Sequence, residues 1–261
     1  MIHLVGKNGE HKAPKLKVAI CIPTRGQNPW GFTYDLAQMM LCTGIAMVSR
    51  GMLDIGLIST DGTYIASNRE DLVLRALEGY PTHLLWLDDD MRFPQDLLIR
   101  LLKHNKPIVA VNYAMRKTPC IPVTIKRLSD TKGQPATRLI TTPESSGLEQ
   151  VEAIGFGAAL IRANVFHRIP RPWFENYWNP KVDRWIGEDI DFCRKCEKAG
   201  IEILVDHDLS KEIGHVGTFE YTLAHAQAWD ETYGGNDGGP QTGEPVHAVT
   251  EGSKDESVHQ G

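Results

Sequence analysis

The feature that most constrains this chain is an alternation: between Val18 and Tyr113, short apolar runs repeatedly trade places with helix-patterned segments. Residues 18–24 (VAICIPT), 53–60, 82–87 (THLLWL) and 107–113 (PIVAVNY) read as strands, rich in β-favouring residues and set off by turn formers. Residues 32–50, 65–78 and 95–103 read as the helices between them, the last opened by Pro94. Strands that alternate with helices imply βα units and a mostly parallel sheet with helices on both faces, a Rossmann-like α/β arrangement. The run 82–87 is apolar without period-two alternation, which suits a strand covered on both sides. In such a sheet ligands settle beyond the carboxyl ends of the strands, so the residues that follow each strand are the ones to read for chemistry.

After Pro119 the texture changes. Residues 121–125 and 139–142 are short β-favouring pieces around a polar loop, expected to form a small β hairpin or flap. Residues 151–162 (VEAIGFGAALIR) restore a buried strand, in which Gly155 and Gly157 mark places where backbone can approach a ligand closely. A short helix through Val165 follows. Residues 187–199 read as a helix closed by Gly200, and 201–205 as a last strand. At 261 residues the chain suits one domain, expected over 17–233 after an N-terminal extension, 1–16. Residues 234–261 hold seven glycines and no aromatic residue and are expected to be a disordered C-terminal tail.

Composition narrows the setting. Hydrophobic residues make up 41% and charged residues 23%, an ordinary globular balance. The longest apolar stretch, 36–48, is interrupted by Gln38 and Thr43 and is too short to cross a bilayer ~30 Å thick. No secretory segment is visible at the start, so the expected address is cytoplasmic, without a transmembrane segment. The five cysteines are scattered, and Cys193 and Cys196 fall inside a predicted helix with no second pair, so reduced, half-buried thiols are expected. A net charge of −5 argues against a protein that coats nucleic acid. A local basic strip remains: Arg116, Lys117, Lys126, Arg127, Lys132 and Arg138 against Asp130, able to meet a diphosphate or an anionic acceptor.

The strand at 82–87 runs straight into Asp88, Asp89 and Asp90. Adjacent carboxylates in a partly buried cleft repel one another, and a divalent cation relieves that repulsion. In extended chain Asp88 and Asp90 face one side and Asp89 the other, so the first two are the expected oxygen ligands for Mn2+ or Mg2+. His215, between Gly214 and Gly217, is the candidate nitrogen ligand that completes the shell. Glu188, Asp189 and Asp191 open a predicted helix, where acids also complement the helix dipole. Gly187 before them lets backbone pass close to a ligand, and Trp185 offers a flat face for a sugar. A carboxylate there can take a hydroxyl proton, which makes Glu188 and Asp189 the candidate catalytic residues. Trp173, Phe174 and Trp178 are read either as further pocket lining or as packing beneath a flap.

Taken in order, LWLDDDM, then GEDIDF, then GHVG resembles the GT-A class of nucleotide-sugar glycosyltransferases, especially the family-two-like branch common in bacteria and their phages. The resemblance runs from about Lys17 to Phe219. It implies a GT-A fold and a sugar moved from a nucleotide diphosphate donor, commonly a UDP-sugar, to a hydroxyl acceptor. It also implies donor-binding roles for Pro23, Thr24 and Arg25, for Ser67, Asn68 and Arg69, and for Asp88 and Asp89. Gly157 and Trp185 complete that donor set. The acceptor stays open among a polysaccharide, a lipid carrier, a protein and a modified nucleic-acid base, as do the donor base and the stereochemical outcome. Two other readings compete: a nucleotidyltransferase, whose Gly-rich phosphate loop Thr24-Arg25-Gly26 replaces poorly, and a non-catalytic carbohydrate-binding protein, against which intact Asp88, Asp90, Glu188 and His215 argue.

Overall fold

A computed structural model describes residues 15–117, 120–128 and 136–218. The expected tail, most of the N-terminal extension, and Asp130 and Lys132 of the basic strip lie outside the described residues. The chain divides into a compact unit that ends at Val216 and a remainder from Gly217 onward. Everything below concerns the first.

The strands are β1 Leu16–Thr24, β2 Leu53–Asp61, β3 His83–Leu87, β4 Met91–Arg92, β5 Ile108–Ala110, β6 Ile125–Arg127, β7 Thr137–Arg138, β8 Leu148–Gln150, β9 Ala158–Arg162, β10 Tyr177–Asn179, β11 Arg184–Ile186, β12 Leu204–Asp206 and β13 Gly214–His215. The helices are α1 Trp30–Thr43, α2 Ile65–Glu78, α3 Leu97–Lys103, α4 Val165–Arg168, α5 Glu188–Lys198 and α6 His207–Ser210. Seven strands form the central sheet in the order β2-β1-β3-β9-β5-β12-β8. β2, β1 and β3 pair in parallel, as do β5 and β12, whereas β9 and β8 run against their neighbours. The fold is therefore mixed α/β with a mostly co-directed sheet, accompanied by three separate two-stranded pairs. Among them β6 and β7 form the expected hairpin, shifted from the predicted 121–125 and 139–142.

The expectation of helices on both faces holds. Leu84 and Trp86 of β3 enter one buried cluster with Leu72 and Val73 of α2 and Phe192 and Cys193 of α5. Leu85 and Leu87 enter the other with Phe32 and Met39 of α1 and Leu97 and Leu98 of α3. All five β3 residues are buried, which is why its sequence shows no polar phase. α2 buries Ala66, Arg69, Leu72, Val73 and Ala76, the three-and-four spacing of a helix laid on a sheet. Among the described residues no helix is long and apolar enough to cross a membrane.

Several expectations are corrected. The helix expected over 32–50 is α1 followed by a π-helical turn, Gly44–Val48, whose bonds include Ser49 N–H to Gly44 O at 2.9 Å. The strand expected over 151–162 begins only at Ala158 and runs antiparallel between β3 and β5, while β1, β2, β3 and β5 of the first half share one direction as expected. Cys193 and Cys196 are fully rather than half buried, on the core side of α5.

Candidate functional site

The carboxyl end of β3, the start of antiparallel β9 and the exit of β5 meet at one edge of the sheet. There the Asp88 amide donates to Gly157 O at 3.1 Å. β4 leads away from the aspartates and pairs antiparallel with β13, placing His215 opposite Met91, while the Val216 amide donates to Asp90 O at 2.8 Å. That small ladder brings a late histidine to the aspartate loop. Asp35 of α1 secures it: its carboxylate accepts from Arg92 Nε at 2.6 Å and from the Phe93 amide at 3.1 Å. Gly31 leaves room for this clamp, since a Cβ there would stand 2.8 Å from the Arg92 guanidinium.

The aspartates do not share a face. Met91 N–H bonds back to Asp88 O at 3.2 Å, so Asp88 to Asp90 turn rather than extend, and the alternation expected of an extended segment is lost. Asp88 faces Arg69, whose Nη2 lies 3.1 Å from Asp88 Oδ1, while Nη1 reaches Glu188 Oε1 at 2.6 Å. Arg69 is 4% exposed and its guanidinium carbon lies 4.7 Å from the centre of the Phe156 ring. Burial alone would lower its pKa, but Asp88 and Glu188 outweigh that and keep it charged.

Asp90 belongs to a different cluster. Arg116 Nη1 lies 2.8 Å from Asp90 Oδ2, and His215 Nε2 lies 3.4 Å from Oδ1. His215 Nδ1 is 2.8 Å from Ala114 O; a carbonyl only accepts, so Nδ1 carries the proton and a neutral ring presents a lone pair at Nε2. Asp90 Oδ1 is buried and lacks a hydrogen-bond partner. At 3.4 Å the contact with His215 is an ionic approach rather than a hydrogen bond. Burial works to raise the Asp90 carboxyl, yet His215 and Arg116 outweigh it and hold it below the usual range. Nearness to Asp90 in turn raises the His215 imidazole.

The three side chains expected to share a metal ion are thus not brought together. Asp90 and His215 come together, Asp88 is spent on Arg69, and among the described residues no three His, Cys, Asp or Glu side chains converge as a metal-holding group. The pair itself suits a divalent cation. Bonds of ~2.0 to 2.2 Å from an oxygen and a nitrogen to one ion place those atoms roughly 3 to 3.5 Å apart, and an orphaned buried carboxylate oxygen is what such an ion would satisfy.

Glu188 and Asp189 start α5 after Gly187. The room beside Gly187 is taken by the Asp189 carboxylate, which a Cβ would meet at 2.8 Å, and not by the open approach expected for a ligand. Burial raises both carboxyls, opposed by Arg69. Asp191 is bound by Lys195 of its own helix and is structural. Gly157 is likewise filled: a Cβ there would meet the Tyr113 ring at 2.7 Å and Met91 Sδ at 2.9 Å, so Tyr113 occupies the space expected for a donor.

The remaining candidates divide. Thr24 closes its own loop through Asn28 and Gly26, Pro23 is buried, and Arg25 and Ser67 are exposed. Asn68 is buried and donates to Gly62 O at 2.8 Å, which makes it a brace for the loop between β2 and α2 and corrects its expected donor contact. Asp89 is half-buried beside the clusters. Trp173 and Phe174 are core, the latter packed on Trp86, Phe156 and Phe192, whereas Trp178 and Trp185 are exposed. His83 and His207 are buried, and burial brings His83 down to about 4. Tyr113 was missed in the sequence although it ends a predicted strand at the ligand edge; it accepts from Gly157 N–H at 3.1 Å and packs edge-on to His215.

The chain matches no protein-family model and no curated protein. Among solved structures it is similar to A197 from STIV, with 15% sequence identity over 79% of this chain and 99% of that one and a TM-score of 0.47.

Proposed function

We propose that this chain is a divalent-cation-dependent glycosyltransferase that uses a nucleotide diphosphate sugar, a UDP-sugar, as donor. One observation carries the reading. At the ligand-binding edge of an α/β sheet, a buried Asp90 oxygen without a hydrogen-bond partner and His215 Nε2 stand 3.4 Å apart. A cation bound there, Mn2+ or Mg2+, would supply positive charge where the leaving diphosphate gains negative charge.

The chain's own residues supply the rest. Arg116 stands beside Asp90 and adds a second positive group at the diphosphate's place. Arg69 fixes Asp88 and Glu188 in one plane of charge, and burial of Glu188 makes it a stronger base than a free glutamate. We assign Glu188 to the acceptor proton, with Asp189 behind it. The order Asp-rich strand end, Gly-Glu-Asp and late His supports the resemblance to the GT-A class.

Nucleotide release from a panel of UDP- and GDP-sugars, with and without Mn2+, tests the proposal. Release by the full chain that needs Mn2+ and is lost in Asp90→Ala and His215→Ala is expected. Metal-independent release, or none from any donor, rejects it.

A further inference from the structure

Beside Gly187, the residue before Glu188, the surface holds a cleft of about 560 Å3 lined by Tyr64, Asn176, Trp185, Ile186 and Gly187. Trp185 is 68% exposed and Tyr64 55%, unusual for rings of that size. Trp185 is nevertheless held firmly. It sits on the β10–β11 ladder directly opposite Trp178, the two rings 5.9 Å apart and steeply inclined at 75°. Tyr64 is the extended residue before α2. Two exposed aromatic surfaces therefore stand at the cleft, one of them braced by a neighbouring ring.

The chemistry of the lining selects among ligands. None of the five residues carries a charge. A diphosphate asks for cations, and none stands in this lining; Arg69, on the far side of Glu188, is committed to carboxylates. Flat apolar rings beside a neutral amide suit a ligand with an apolar face and a hydroxyl-bearing edge, which is the character of a pyranose. Gly187 is the last lining residue, and Glu188 follows it directly.

We propose that this cleft is the subsite for a neutral saccharide acceptor whose ring lies against Trp185 and whose hydroxyl points toward Glu188. The proposal rests on the glycosyltransferase reading for its chemistry, and it moves Trp185 from the donor's side to the acceptor's. In the transfer, the acceptor oxygen bonds to the donor's anomeric carbon. The bond from that carbon to the diphosphate oxygen breaks, its electron pair leaves with the nucleotide diphosphate, and the hydroxyl proton passes to the Glu188 carboxylate.

The full chain, without nucleotide or metal, is applied to an array of neutral mono- to tetrasaccharides, and any hit is titrated by tryptophan fluorescence. Binding of a subset is expected, weakened about tenfold or more by Trp185→Ala and by Tyr64→Ala and less by Trp185→Phe. UDP affinity in Mn2+ should be the same in Trp185→Ala as in the parent. Circular dichroism establishes that each variant is folded. No neutral saccharide bound below ~10 mM by the parent overturns the proposal, and so does a folded Trp185→Ala that loses UDP instead. Because the array contains no nucleotide, Trp185-dependent saccharide binding in a chain that fails to bind UDP upholds the cleft while the transferase reading falls. Manganese-dependent UDP binding without any saccharide binding does the reverse.

Discussion

Two carboxylate clusters lie side by side at the sheet edge and are completed in opposite ways. Asp88 and Glu188 close on Arg69, a cation that the chain provides from α2 and buries. Asp90 has one oxygen on Arg116, whose side chain is 51% exposed, and leaves the other buried against a histidine lone pair. The first cluster holds two carboxylates on a single buried guanidinium. The second pairs one carboxylate with an exposed arginine and leaves Asp90 Oδ1 without a hydrogen-bond partner. A buried ion pair is costly to break yet adds little net stability, whereas an orphaned acceptor is a place where binding free energy is gained. The proposed function turns on that difference: it assigns the first cluster to holding the edge in shape and the second to meeting the cation.

The sharpest way to break that comparison is Arg69→Met. It strands Asp88 and Glu188, so a loss of about 3 to 5 kcal/mol is expected, read as a drop of roughly 6 to 20 °C in Tm. Asp90→Asn leaves only the half-exposed Arg116 without its partner and strands no buried carboxylate, so it should shift Tm by less than a quarter as much. Equal losses would merge the two clusters into one structural network.

Metal addition sharpens it from the other side. Mn2+ at about 100 times its Kd should stabilise the parent by about 2.7 kcal/mol in thermal unfolding and leave Asp90→Ala and His215→Ala unmoved. Stabilisation that survives in both variants would place the ion elsewhere.

A smaller effect concerns pH. Glu188 must be ionised to accept a proton, and burial raises its pKa, so activity falls as pH drops through a midpoint above that of a free glutamate. Arg69 opposes the rise, so in Arg69→Met the acid limb of the kcat/KM profile should move further upward. A limb that moves downward would show that Glu188 is not the titrating group. The smallest expected quantity is the coupling between Arg69 and Asp90. A double-mutant cycle on stability should return less than about 0.5 kcal/mol if the clusters are independent.

Much of the scaffold was legible in the sequence because burial writes itself into patterning. α2 matches its predicted span, and β3 lies within one residue of its own, since a two-face-buried strand and a one-face-buried helix leave distinct apolar phases. The direction of β9 was not legible: an apolar run says that a strand is buried and not which way it points. The aspartate triplet was found by position, but its geometry was misjudged, because one backbone bond from Met91 to Asp88 converts an extended run into a turn and sends the side chains to different partners. Arg69 was picked out as a donor contact. Its bridging role was hidden because Glu188 comes 119 positions later and only the fold brings the two together. The tryptophans divided by context as well: Trp173 caps the core through a bond to Phe166 O, while Trp178 and Trp185 share one exposed face of a hairpin that composition does not reveal.

The short β4–β13 ladder also bears on synthesis. His215 takes its orientation from Ala114, 101 positions earlier, and it follows Asp90 by 125 positions, so at about 5 to 20 residues per second the ribosome delivers the aspartate loop roughly 6 to 25 s before the imidazole beside it. A nascent chain can thus lay down every strand of the central sheet before the Asp90–His215 contact becomes possible.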